Sequence, residues 1–159
     1  VRVAASKDHL TTTDKPVALD ASAWREFLDE ENRVVAETGV RVGIISIDLA
    51  GSHDDVARDE LLRDRAARLL RHQLVRTDRV AITSTSSLAV LRAPLESLPG
   101  LERQARDLAL ALYGAGLEAA VGFAHRRTDE DLMDTWARAD AQADRALFRR
   151  EHPDPTDIL

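Results

Sequence analysis

The sequence predicts an α/β (α+β) domain in which one central sheet is flanked by helices. Three observations predict it. Apolar stripes at helical spacing alternate with short β-rich runs, in the order helix, strand, helix, hairpin, helix, strand, helix. One strand, from Val40 to Leu49, is apolar almost throughout and therefore needs cover on both faces. Between Arg79 and Leu91, two apolar runs bracket Ser84, Thr85, Ser86 and Ser87, small hydroxyl residues suited to a hairpin turn. A sheet with helices on its faces is the simplest layered arrangement that buries all of these surfaces.

Each element has its own local reason. Residues 1–17 mix Ser, Thr, Lys, Asp and Pro with little apolar period and read as a flexible arm or linker. A helix is expected from about Asp20 to Thr38, with Trp24, Phe27, Leu28, Val34 and Val35 on its stripe and Gly39 as its stop. After the Val40–Leu49 strand, Ser52 and Asp55 read as a capping arrangement for a helix from about Val56 to Leu74. Its inner face is Leu62, Ala66, Leu69 and Leu70, and Asp59 with Arg63 and Asp64 with Arg68 are spaced as charge pairs. Arg76-Thr77-Asp78 turns the chain into the hairpin. Pro94 and Pro99-Gly100 then bracket an irregular connection before a helix from about Leu101 to Tyr113, ended by Gly114 and Gly116. Leu117 to Ala124 reads as a strand. Thr128 to Asp131 cap a last helix to about Glu151, with Leu132, Trp136, Ala139, Ala143 and Leu147 inward. The domain is expected to span 18–152, with 153–159 as a tail opened by Pro153 and Pro155.

Composition narrows the function classes. With 44% apolar and 31% charged residues, 159 residues suit one globular domain. A net charge of −6 argues against a nucleic-acid surface, which needs a basic excess. Cysteine is absent, so there is no disulfide framework, and no apolar run is long enough to span a bilayer, which points to a cytoplasmic domain without membrane insertion. Beginning at Val1, the sequence reads as a fragment of a longer protein. The two lysines, Lys7 and Lys15, both lie in the N-terminal arm.

The landmarks "IDL" (47–49), "RDELL" (58–62), "AVL" (89–91), "VGFA" (121–124) and "DRALFRR" (144–150) follow one another in an order that resembles the GGDEF family, the diguanylate cyclases. The resemblance covers roughly Asp20 to Glu151. It implies a mixed, largely antiparallel sheet with a ferredoxin-like, nucleotidyl-cyclase-like core. Aligned on "AVL", Leu88 takes the signature's Phe place, Ser86 and Ser87 its acidic places, and Ser84 and Thr85 its glycine places. Active members hold magnesium on the first Asp of a strand-end Asp-x-Asp and on the signature's acidic residues, and join two GTP molecules across a dimer. The corresponding residues are Ser46, Ser86 and Ser87, and three neutral hydroxyls do not offset a triphosphate's charge. No cofactor or metal is therefore expected.

The resemblance also marks residual ligand contacts. Asp48 is the surviving Asp of the strand-end pair, although capping the next turn accounts for it more simply. Asp59 matches a guanine contact, and surface pairing with Arg63 explains it equally well. Asp78 matches the Asp of the family's inhibitory Arg-x-x-Asp site for cyclic-di-GMP, where Val75 replaces the Arg and Arg76 lies one position off. Glu151 stands where a phosphate-binding lysine is expected, while Arg149 and Arg150 are anion contacts or solubilising charges. Apart from the resemblance, His53, Asp54 and Asp55 with Asp48 and His125 are a conceivable metal set, and Trp24 and Trp136 read as core or interface anchors.

These observations together imply a catalytically inactive GGDEF-like domain, a pseudoenzyme acting in bacterial signalling as a regulatory or protein-interaction module. A protein partner or a homodimer is expected. The alternative is a non-catalytic sensor that binds GTP or cyclic-di-GMP. An enzyme of different chemistry built on Asp48, His53 and the hydroxyl cluster ranks third.

Overall fold

A computed structural model describes residues 17–51 and 54–151, the side chain of Glu151 excepted. The N-terminal arm up to Pro16, the Ser52 half of the expected cap, His53 and the tail from His152 lie outside the described residues. The elements are α1 (Ala21–Thr38), β1 (Gly43–Leu49), α2 (Val56–Gln73), β2 (Arg79–Ser84), β3 (Ser87–Arg92), α3 (Leu98–Gly114), β4 (Ala119–His125) and α4 (Leu132–Glu151). The strands form one antiparallel sheet in the order β2-β3-β1-β4. A single parallel bridge, Leu19 to Ala81, extends the β2 edge.

Central placement explains the unbroken apolar run of β1. Ile45, Ile47 and Leu49 face a core shared with Leu70, Leu74, Leu101, Leu108 and Leu112, under α2 and α3. Ile44 faces the opposite core with Trp24, Leu28, Leu132 and Ala139, under α1 and α4. Trp24 is fully buried and meets Trp136 edge to face at 5.9 Å, so both tryptophans are core anchors.

The helix ends follow standard capping chemistry, with two departures from the expected boundaries. Asp20 accepts the Ala23 N–H at 2.8 Å, and Gly39 closes α1 at φ 68°, a left-handed conformation that suits glycine. Asp55 itself caps α2, accepting the Arg58 N–H at 3.2 Å. By contrast, α3 begins three residues before the expected Leu101. Ser97 accepts the Gly100 N–H at 3.0 Å, and Pro99 sits in the first turn, where no N–H is needed. Proline and glycine there start the helix rather than break the chain. The other departure is in the β-rich runs: β1 starts at Gly43 rather than Val40, and β4 runs from Ala119 to His125.

The opening of α4 is fixed from two sides. Asn32 of α1 accepts the Leu132 N–H at 2.9 Å, and Asp131 accepts the Met133 N–H at 2.7 Å. Arg138 reaches back to Glu130 and to the His125 carbonyl, each at 2.6 Å. The strand-to-helix loop is thereby clasped to the helix it feeds.

Candidate functional site

The hairpin lies beside β1, as expected. Asp48 is opposite Ser87 and Ser46 opposite Ala89, and the Leu49 N–H donates to the Ser86 carbonyl at 2.8 Å. Leu88, in the apolar signature place, is buried against Ile47 and Ile82. The polar tip satisfies itself. Ser87 shares hydrogen bonds with Thr83, at 2.9 Å, and with Ser84, whose hydroxyl also accepts the Ser86 N–H at 3.2 Å. Ser84 and Thr85 are exposed, so side chains stand where a pair of glycines would leave bare backbone.

Strand alternation points Ser46 and Asp48 to the face that carries Ile44, where α4 crosses β1 and β4. Gly122 of β4 permits a very close crossing: a Cβ there would lie 2.1 Å from the Ala139 carbonyl oxygen and 2.5 Å from the Ala143 nitrogen. Asp140 and Asp144, one helical turn apart on α4, reach the strand. Ser46 is buried and donates to Asp140 Oδ1 at 2.8 Å. Carboxylate oxygens of Asp48, Asp140 and Asp144 lie within 4.8 Å of one another, the one such acidic group among the described residues.

Burial raises the Asp48 pKa to about 7, with a hydrogen bond to Asp144 and repulsion from Asp140 and Asp144 acting in the same direction. Near neutrality the group therefore holds a proton. Three carboxylates are also the donor type that a hard divalent cation accepts. The magnesium set implied by the resemblance does not fit this chain: Ser46 is committed to Asp140, and Ser87 to Thr83 and Ser84. Sequence reasoning missed Asp140 and Asp144 as site residues. Their i,i+4 spacing on the helix facing the strand-end Asp was the available signal.

The remaining expected contacts are scattered. Asp59 is buried, and the guanidinium of Arg63 bonds to Asp64 at 2.9 Å, so an exposed pair with Arg63 is not its setting. Asp64 thus pairs with its neighbour rather than with Arg68. Asp78 is fully buried before β2, at the sheet end remote from the hairpin tip. It accepts the Val75 N–H at 3.1 Å and the Gln104 side-chain N–H at 3.2 Å, and burial raises its pKa. A cleft of about 280 Å³, lined by Arg92, Arg103 and Gln104 and by the acidic Glu96 and Asp107, lies alongside. Arg149 and Arg150 are exposed near the end of α4. His125 pairs with Gly43, at the opposite end of β1 from Asp48, so it does not join a metal set with Asp48. Asp54 and Asp55 are exposed, and Asp55 caps α2.

No family model matches the sequence, and no curated protein matches it. Solved structures do. The GGDEF domain of FimX from Pseudomonas aeruginosa superposes with a TM-score of 0.72 at 17% identity, covering 86% of this chain and 96% of that one. The GGDEF domain of DgcB from Caulobacter crescentus, solved with c-di-GMP, gives 0.67 at 14% identity over 85% of this chain and 86% of that one. Diguanylate cyclase SiaD from Pseudomonas aeruginosa, solved with its activator SiaC, gives 0.69 at 17% identity over 95% of this chain and 63% of that one. Hairpin, sheet order and helix placement thus agree with those structures over most of the chain: its fold is that of a GGDEF domain.

Proposed function

We propose that this chain is a catalytically inactive GGDEF-like domain serving as a regulatory or protein-interaction module in signalling. One observation carries the reading. Ser46, Ser86 and Ser87, at the positions where the resemblance places metal-binding carboxylates, are neutral, and the Ser46 and Ser87 hydroxyls are engaged with neighbouring side chains. Phosphoryl chemistry on GTP depends on cations that neutralise developing charge, and cations need anionic ligands at that place. A protein-binding role is supported by the SiaD structure, in which a protein of the same fold is held with a protein activator.

Incubation of purified protein with GTP and magnesium or manganese, followed by chromatographic separation of the nucleotides, tests the reading. No cyclic-di-GMP above a protein-free control is expected. Protein-dependent product overturns it.

The second reading is a non-catalytic sensor for GTP or cyclic-di-GMP. The cleft beside Asp78, where Arg92 and Arg103 stand with Glu96 and Asp107, offers it a place, and the DgcB structure solved with c-di-GMP favours it. Calorimetric titration with each nucleotide separates the two readings: saturable binding without turnover selects the sensor, and its absence selects the interaction module.

A further inference from the structure

A half-open cavity lies at the end of the sheet opposite the hairpin. It offers about 790 Å³ between the C-terminal turn of α1, the lead into β1, the lead into α3 and the loop after β4. That volume is in the range of small-molecule sites. Its floor is apolar, with Val35, Val42 and Leu95 all buried. Its rim is cationic. Arg41, Arg126 and Arg127 line it, and Asp129 is the single carboxylate among its lining residues.

This concentration of positive charge runs against the chain as a whole, whose net charge is −6. Among the described residues, neither Arg41 nor Arg127 makes an ion pair. Arg126 gives its Nε–H to the Glu130 main-chain carbonyl at 2.8 Å, which orients the side chain and leaves its charge unmatched. Glu130 is held by Arg138 and also accepts the Arg127 main-chain N–H at 3.2 Å, so its carboxylate serves the frame of the loop rather than a rim guanidinium.

The segments carrying these arginines are joined by backbone hydrogen bonds: the Arg126 N–H to the Val42 carbonyl and the Leu95 N–H to the Arg41 carbonyl, both at 2.8 Å. The three guanidinium groups therefore start from one rigid frame around an apolar floor. Mutual repulsion of cations held in this way is relieved by an anion, and guanidinium binds carboxylate and phosphate through paired N–H donors.

We propose that this cavity is a binding site for a small organic anion, a carboxylate or phosphate monoester whose charged group sits among Arg41, Arg126 and Arg127 and whose apolar body rests on Val35, Val42 and Leu95. The site stands apart from the hairpin and does not depend on the reading of the hairpin as inactive.

Isothermal titration with 1-naphthyl phosphate, 1-naphthoate, 1-naphthol and inorganic phosphate tests it, on the native protein and on an Arg41→Gln/Arg127→Gln double variant. Both substituted residues are exposed, so the variant is expected to fold, and its far-ultraviolet circular dichroism checks this. Saturable binding of at least one naphthyl anion is expected, about tenfold tighter than naphthol or inorganic phosphate and weakened about tenfold in the double variant. Whichever anion binds more tightly identifies the headgroup as phosphate or carboxylate. Amide correlation spectra are expected to show shifts at Val42, Leu95 and Arg127. The proposal is overturned if neither anion saturates up to about 1 mM, if naphthol or inorganic phosphate binds as well as the naphthyl anions, if the double variant binds unchanged, or if the shifts lie elsewhere.

Discussion

Replacing Asp48 by Asn tests the carboxylate group between β1 and α4. In the folded protein the Asp48 pKa rises from 3.8 to about 7. The native state thus holds this proton more tightly than the unfolded chain does. Its contribution to stability is complete below about pH 4 and is lost as pH climbs through about 7. Each pKa unit is worth about 1.4 kcal/mol, which sets a ceiling of about 4 kcal/mol. Asp48 is only half-buried and shares its proton with neighbours, so solvent screening brings the expected effect to about 1–3 kcal/mol. The Asp48→Asn change removes the titration, and the new side-chain amide donates to Asp144 in place of the shared proton. Urea denaturation at pH 5 and pH 8 measures both proteins. The native sequence is expected to lose stability between these two conditions more steeply than the Asp48→Asn variant. At pH 8 the variant is expected to be more stable by about 1–3 kcal/mol, with the gap falling to less than half of that at pH 5 and closing below about pH 4. Equal pH slopes for the two proteins, or a variant less stable at pH 8, would refute the argument that these carboxylates repel one another.

Three further outcomes follow from the packing. Gly122→Ala forces a Cβ to within 2.1 Å of the Ala139 carbonyl oxygen, so α4 must lift from the sheet; a loss of about 3 kcal/mol or more in thermal or urea denaturation is expected. Glu130 has its pKa lowered to about 2, chiefly by its hydrogen bond with Arg138, so its contribution is present above about pH 4.5 and is lost as pH falls through about 2. Glu130→Gln is accordingly expected to cost about 1–2 kcal/mol at pH 7 and to flatten the acid limb of a pH–stability curve. Trp24→Ala empties a fully buried site against Trp136 and is expected to cost about 3–5 kcal/mol, read by urea denaturation.

Local pattern determined much of this molecule. Apolar residues at helical spacing marked all four helices, and the unbroken run at Ile44–Ile45 and Ile47 marked a strand covered on both sides, because periodicity records which face of an element leaves water. The serine-rich hairpin tip was legible for the same local reason, since turn residues act within their own few bonds. The early start of α3 was misread because Pro99 and Gly100 break helices in mid-run yet are tolerated in a first turn.

Only the tertiary structure decided the acid group and the cationic cavity. Ser46 and Asp140 are 94 positions apart, and they meet because Gly122 lets α4 settle onto β4. Asp59, which read as a guanine contact or a surface partner of Arg63, is buried, and so is Asp78 in the turn before β2. Arg41 and Arg127 share one cavity because antiparallel pairing lays the start of β1 beside the end of β4. An individual residue's polarity announces that it needs a partner. Which partner it receives depends on how distant elements pack, and that is a property of the whole chain.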